Sequence, residues 1–302
     1  MTALLIWTVS PAQTPFAKVV VPSVPGNMEF AGERVPLENF DTRESLQREL
    51  MVTNYMHSST MRAILNTKRY FAIIEPILEA NGVPNDFKYL AMAESGLNPN
   101  AMSIAKAGGL WQIMPGTGRD HGLFVSAEVD ERYDIEKATQ AACKHLLKSY
   151  ELFGSWTLAA AAYNLGDAGV RRRIDKQGVN NYYDAFLPEE TLRYMFRILS
   201  FKLVVENPSF YGYMVQSGDY YPVLDNYTEI TVDDAHIDWS KLAKENGTTY
   251  KMLRELNHWI RDYEYKNTNK RKLTVKIPGP GFRTGIEEEP ATETIIIEES
   301  YE

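Results

Sequence analysis

Cysteine is almost missing from this chain: 302 residues carry one, Cys143. That excludes an internal disulfide and any thiolate metal cluster. Cys143 lies in an Ala-rich helical run, which reads as a buried structural residue and not as a nucleophile. Histidine is also sparse, at 57, 121, 145, 236 and 258, without ligand spacing, so neither a metal site nor a cofactor is expected. Positive charge is short as well: 32 Lys and Arg stand against 40 Asp and Glu, a net charge of -8. With Arg171-Arg172-Arg173 as the one run of three arginines and no broad basic tract, this balance argues against a nucleic-acid partner. Long apolar runs are lacking, so no transmembrane segment is expected.

Near the start, Thr2 to Val9 is a short apolar run followed by Ser10-Pro11-Ala12-Gln13. It resembles the core and cleavage zone of a secretory signal, although no Lys or Arg precedes it. A buried terminal strand is the competing reading; export to the periplasm and the cell wall is the expectation. No cysteine follows the run, so a bacterial lipid anchor is not supported. Prolines 15, 22, 25 and 36 with Gly26 mark an extended leader, which closes a first segment at 1–40.

Helical signals fill 41–212. Asp41 with Glu44 suggests a capping box opening a helix to Met56, and a second helix runs from Ser59 to Ala80. A short helix is expected over Leu110–Met114, stopped by Pro115-Gly116. Asp134 caps a helix to Phe153 and Ser155 one over Trp156–Asn164. Asp167 starts a helix to Gln177, and Pro188-Glu189 one to Glu206. After a linker at 213–227, Thr228–Val232 alternates as a strand. Helical pieces follow at Trp239–Asn246 and Thr249–Asn257, then a second strand at Leu273–Ile277. The chain is therefore read as mainly α: an all-α domain and a small α+β domain at 228–280. The acidic stretch 281–302 is expected to be a disordered tail.

The stretch Tyr89-Leu90-Ala91-Met92-Ala93-Glu94-Ser95-Gly96 stands out. A helix from about Asp86 places Phe87, Leu90, Ala91 and Glu94 on one face. Three of these are apolar and the fourth is a carboxylate. Gly96 reads as the helix stop, which leaves Glu94 in the last turn, where the macrodipole opposes negative charge. Partial burial and the dipole both push its pKa upward, toward that of a general acid at neutral pH. A glutamate snorkelling past its neighbours is the competing reading, and helix spacing alone favours it.

Further blocks shift that balance. Ala93-Glu94-Ser95-Gly96-Leu97-Asn98-Pro99, Ser103 and Gly109-Leu110-Trp111-Gln112-Ile113-Met114-Pro115 occur in order with Asp130-Glu131-Arg132-Tyr133-Asp134. Ala162-Tyr163-Asn164-Leu165-Gly166 and Leu187-Pro188 with Glu190, Thr191 and Tyr194 follow. Together they resemble the soluble lytic transglycosylase family, most of all its membrane-bound lytic murein transglycosylase D branch, over roughly Asp41 to Gly212. The resemblance implies a lysozyme-like catalytic domain. It also implies cleavage of the β-1,4 bond between N-acetylmuramic acid and N-acetylglucosamine in peptidoglycan. One glutamate, here Glu94, acts first as acid and then as base, closing a 1,6-anhydro ring. This differs from the two-carboxylate scheme of most glycosidases.

By the same resemblance Tyr163 is the second catalytic candidate, orienting Glu94 or the intermediate. Ser103, Gln112, Met114, Asn164 and Glu190 are candidates for the substrate groove. Structural roles compete for several: loop stabilisation for Ser103, core filling for Met114, a helix-start acid for Glu190. Lys106 stands where the family commonly has glycine, and strains the turn if φ is positive there. Gly247-Thr248-Thr249 and Leu253 with Leu256-Asn257 resemble a LysM-type module, which implies binding to N-acetylglucosamine-containing glycan. The expected partner is thus the peptidoglycan strand, with wall-remodelling proteins beside it. A hydrolytic muramidase on the same scaffold is the alternative, with Asp120, Asp130 or Asp167 as the base for water; an inactive glycan-binding scaffold is another.

Overall fold

A computed structural model describes residues 20–284. The signal-like run at Thr2–Val9 and all of the acidic tail beyond 284 lie outside the described residues.

The leader is not wholly extended. It contains a hairpin of two short strands, β1 (Glu29–Phe30) and β2 (Glu33–Arg34). The turn between them holds Ala31 and Gly32 at φ 54° and 78°, the left-handed pair that matches strand twist in a tight hairpin. Phe30 is buried edge-on against Phe87, with ring centroids 5.2 Å apart.

Eight helices follow: α1 (Phe40–Tyr55), α2 (His57–Ala80), α3 (Lys88–Ser95), α4 (Pro115–Asp120), α5 (Ile135–Phe153), α6 (Trp156–Leu165), α7 (Asp167–Gln177) and α8 (Glu189–Glu206). Most ends carry the signals expected of them. Asp134 accepts from Lys137 N at 3.1 Å and Ser155 from Leu158 N at 3.3 Å; Gly154 and Gly178 end their helices in the left-handed region. Two starts differ from expectation. Helix α1 begins at Phe40, so Asp41 sits inside its first turn and forms no capping box. Residues 110–114 form a turn closed by pairing of Gly108 with Ile113, and the helix begins at Pro115 instead of stopping there. Proline suits a first helical position because φ is preset and no N–H needs a partner.

Helix α8 is the central element, packed against α1, α3 and α6, while α5 lies between α2 and α6. The α5–α6 approach is close because Ala141, Ala142 and Ala159 to Ala162 are all buried. Leu46, Leu50, Ile74, Leu90, Leu146 and Leu199 fill the shared core.

The C-terminal domain contains β3 (Tyr227–Val232), β4 (His236–Asp238), α9 (Trp239–Glu245), α10 (Tyr250–Leu256), β5 (Glu264–Lys266) and β6 (Leu273–Pro278). Strands β3 and β6 pair antiparallel with Ile230 opposite Val275. The expected strand–helix–helix–strand order is present, with a short β4–β5 pair added. Its core of Trp239, Leu253, Ile260 and Val275 includes Val129 and Tyr133 from the helical domain. Residues 213–227 lie against the first two helices: Tyr213 donates to the Asn54 carbonyl at 2.9 Å, and Tyr221 N to Leu65 O at 2.8 Å.

Candidate active site

Helix α3 ends one residue after Glu94. Gly96 and Leu97 then both take positive φ, 59° and 55°, and turn the chain into a loop that returns past the helix end. Leu97 adopts the left-handed region at a cost to its backbone, with its side chain completely buried there. The turn leaves the Glu94 carboxyl facing α8, where the Tyr194 hydroxyl donates a short hydrogen bond to Oε1. Burial is the main cause that pushes Glu94 up to about 7. The Tyr194 hydrogen bond and the Arg197 charge pull the other way, and the Glu190 charge adds to the rise. Burial beside the Glu94 carboxylate holds the Tyr194 proton on its own oxygen, so Tyr194 remains the donor.

The loop after Leu97 is a backbone structure braced from beneath. Ser103 closes it: Oγ accepts from Ala107 N at 3.0 Å, while Ser103 N donates to Ala107 O at 2.9 Å. Lys106 has φ 70°, the strained conformation anticipated for a residue in a glycine's place, and its side chain is exposed. Gly109 also has positive φ, and a Cβ there would lie 2.0 Å from Arg132 O, so backbone meets backbone at that point. Gln112, at φ 46°, folds its amide back on the loop, donating to Gly109 O at 2.8 Å and Ala101 O at 3.2 Å. Beneath it lies a buried ion pair. Arg132 Nη2 sits 2.6 Å from Asp130 Oδ2, and its Nη1 donates to the carbonyls of Lys106 at 2.7 Å and Ile113 at 2.9 Å. The Gly109–Pro115 and Asp130–Asp134 blocks are thus two halves of one structure.

Tyr163 comes from α6 but does not hold Glu94. Its hydroxyl donates to Trp111 O at 2.8 Å, while its burial and the Glu94 charge raise its pKa. The structure gives the contact with Glu94 to Tyr194 in its place. Tyr163 also packs edge-on against His145, which lies 3.2 Å from His121 Nε2 through Nδ1. Burial lowers the pKa of both histidines. With Gln112, Met114 and Thr117 they line a small cavity of about 60 Å³. Met114 is 44% exposed, which places it at the surface beside this cavity and not in the core. Trp111 is fully buried, its indole N–H donating to Thr139 Oγ1 at 2.8 Å.

Asn164 ties two helices together, its Oδ1 accepting from Thr191 Oγ1 at 2.9 Å. Glu190 is exposed and paired with Arg197 at 3.2 Å. Arg197 in turn faces Glu49, which is buried and hydrogen-bonded by Arg193 Nε at 2.7 Å. Two of the three aspartates offered as bases for water are engaged elsewhere: Asp130 by Arg132, and Asp167 by Ser149 Oγ at 2.7 Å. Arg171 lies at the end of α5, donating to Leu152 O and lying over the Phe153 ring. Cys143 is buried and its thiol is pushed up to about 12. Among the described residues no group of three or more His, Cys, Asp or Glu is placed to hold a metal ion. No described helix is long and apolar enough to cross a membrane.

Tyr194 and Arg197 are absent from the candidate residues read from the sequence. One signal could have found them: Glu190, Tyr194 and Arg197 share one helical face by their spacing.

Residues 71–186 match the Transglycosylase SLT domain, and residues 228–281 the soluble lytic transglycosylase C-terminal LysM-like domain. The chain is 31% identical over 198 residues to the membrane-bound lytic murein transglycosylase D of Escherichia coli strain K12, a span of 63% of this chain and 43% of that protein. It is 30% identical over 121 residues to a putative tributyltin chloride resistance protein of Alteromonas sp. strain M-1, covering 40% of this chain and 58% of the other. The chain therefore spans less than two thirds of either relative. Among solved structures, the 70 kDa soluble lytic transglycosylase of Escherichia coli matches with a TM-score of 0.42 at 20% identity, over 65% of this chain and 34% of that one.

Proposed function

We propose that this chain, a lytic transglycosylase homologue with an SLT domain and a LysM-like domain, cleaves the N-acetylmuramic acid–β-1,4–N-acetylglucosamine bond of peptidoglycan and leaves 1,6-anhydro ends. The observation that carries this reading is Glu94: a carboxyl in the site, held by one tyrosine hydroxyl and carrying a proton up to about pH 7. Protonated Glu94 gives its proton to the departing glycosidic oxygen. The resulting carboxylate takes the proton of the muramoyl 6-hydroxyl, whose oxygen closes on C1. Both halves of such a cycle run best when the pKa lies near the working pH. Tyr194 orients the carboxyl through both steps. Ser103, Gln112 and Met114 offer one side of the groove, and Glu190 with Arg197 the rim opposite. A site of action in the periplasm, at the wall, belongs to the same proposal.

The hydrolytic alternative needs a base for water, and the engagement of Asp130 and Asp167 speaks against it. Digestion of purified sacculi with mass analysis of the released muropeptides tests the reading. Anhydro ends, lighter by one water, are expected. Reducing ends would replace this mechanism with hydrolysis, and sacculi that bind the protein undegraded would make it a scaffold. Glu94→Gln should abolish cleavage while circular dichroism and Tm report a folded protein; a folded, active variant would overturn the role of Glu94.

A further inference from the structure

We infer that the C-terminal domain shapes the loop beside Glu94 mechanically, with Arg261 as the positioning residue that connects them. The inference rests on the reaction proposed above only for its kinetic arm.

The two domains share main-chain hydrogen bonds. Val129 pairs antiparallel with Ile260; Asp130 N donates to Trp259 O at 2.9 Å and Arg261 N to Glu128 O at 2.8 Å. Val129 and Ile260 are both completely buried. A two-residue bridge between domains fixes the height and direction of 128–130. That segment is where the bracing of the loop begins: Asp130 grips Arg132, and Arg132 reaches the carbonyls of Lys106 and Ile113. The next residue, Tyr133, packs beneath Gly108 so closely that a Cβ there would lie 2.9 Å from the ring.

Arg261 touches this assembly at two further places. Its guanidinium lies 3.8 Å from the centre of the Tyr133 ring, on a residue buried to 3% exposure. Its Nη1 donates to Asn100 Oδ1 at 3.2 Å and to His258 O at 3.1 Å. Asn100 belongs to the loop itself, three residues before Ser103, and its Nδ2 meets His258 Nδ1 at 3.3 Å. One side chain of the small domain thus holds the ring under Gly108 and the first turn of the loop at once. The loop has a reason to need this. Leu97, Lys106 and Gln112 all sit at positive φ, a conformation that L side chains adopt at a cost and keep only where surroundings enforce it.

The expected consequence is a loop that relaxes when Arg261 is shortened. Arg261→Ala should speed amide hydrogen exchange at 97–113, at Gly108 and Ile113 above all, and leave α5, α6 and α8 protected. With sacculi or soluble glycan strands, kcat/KM should fall roughly tenfold or more, as misplacement of positioning groups does. The loss should lie mainly in kcat. Arg261→Lys keeps a cation over Tyr133 without the planar fork, and should fall between. Asn100→Ala removes the partner from the loop side and should reproduce the loop exchange while every residue of the small domain stays unchanged. A second outcome would overturn the inference: faster exchange in β3–β6 and at 128–130 with 97–113 unchanged, which would make Arg261 domain glue. Wild-type exchange and wild-type kcat in both Arg261→Ala and Asn100→Ala would overturn it too. Should the wild-type protein cleave no glycan, the proposed reaction fails while the exchange experiment still decides this one.

Discussion

Glu94 and Tyr194 form the smallest unit with a measurable consequence. The acid step needs Glu94 protonated, so kcat/KM should fall as pH rises through about 7. Tyr194→Phe removes a donor that pulls the Glu94 pKa down, so the descending limb should move to higher pH while the plateau rate drops. A pH profile of kcat/KM for the two proteins checks both. Stability follows with the opposite sign to that of an ordinary surface carboxylate. The folded pKa lies above the 4.5 of a freely solvated glutamate, so the group's contribution is complete below that pH and is lost as pH rises through about 7. Glu94→Gln, which cannot ionise, should therefore gain in Tm relative to the native protein as pH rises from 4.5 to 7, by an equivalent of up to about 3 kcal/mol. The direction of the Glu94 shift is readable from an apolar helical face ending in glycine. Its partner is not: Tyr194 stands in a motif block but lies 100 residues away, and Tyr163, the tyrosine taken from the motifs as the candidate, turns its hydroxyl to Trp111 instead.

At the scale of elements, local chemistry predicts well where an end is built from one residue, and poorly where two readings share the same residues. Asp134, Ser155, Gly154 and Gly178 act as their types suggest. Pro115-Gly116 closes nothing, because the same proline that ends one helix is well suited to begin another. The β1–β2 hairpin escapes any periodicity, having two residues a strand. Yet it carries Glu33 to the start of α6, where the carboxylate accepts from Thr157 N at 3.0 Å, Thr157 Oγ1 at 2.8 Å, Ser155 Oγ at 2.9 Å and Trp156 N. Anion and helix N-terminus attract, and the orphan N–H groups gain acceptors. Glu33→Gln should therefore cost about 1 kcal/mol, seen as a lower urea midpoint with an unchanged m value.

For the molecule as a whole, the second core decides the behaviour. Val129 and Tyr133 belong by sequence to the helical domain and by packing to the small one. Lys276 reinforces the contact, 2.6 Å from Glu136, and Arg271 lies over the Phe124 ring. Exposing Val129 and Ile260 would cost each domain a fully buried side chain. Residues 20–284 should therefore unfold in one transition, with the calorimetric and van't Hoff enthalpies equal. Two resolved transitions would mean that the shared core does not couple the domains.

By itself the amino-acid order determined what depends on near neighbours: helix periods, most caps, and an acid at the end of an apolar face. The linked motif blocks add the resemblance to lytic transglycosylases. Only the tertiary structure decided which tyrosine meets Glu94, why Gly108 and Gly109 must be small, and that Ile260 and Arg261 of the C-terminal domain meet Val129 and Asn100. Those outcomes rest on contacts between residues tens to hundreds of positions apart. Hydrogen-bond reach and van der Waals exclusion act there across space, where local pattern carries no record of the partner.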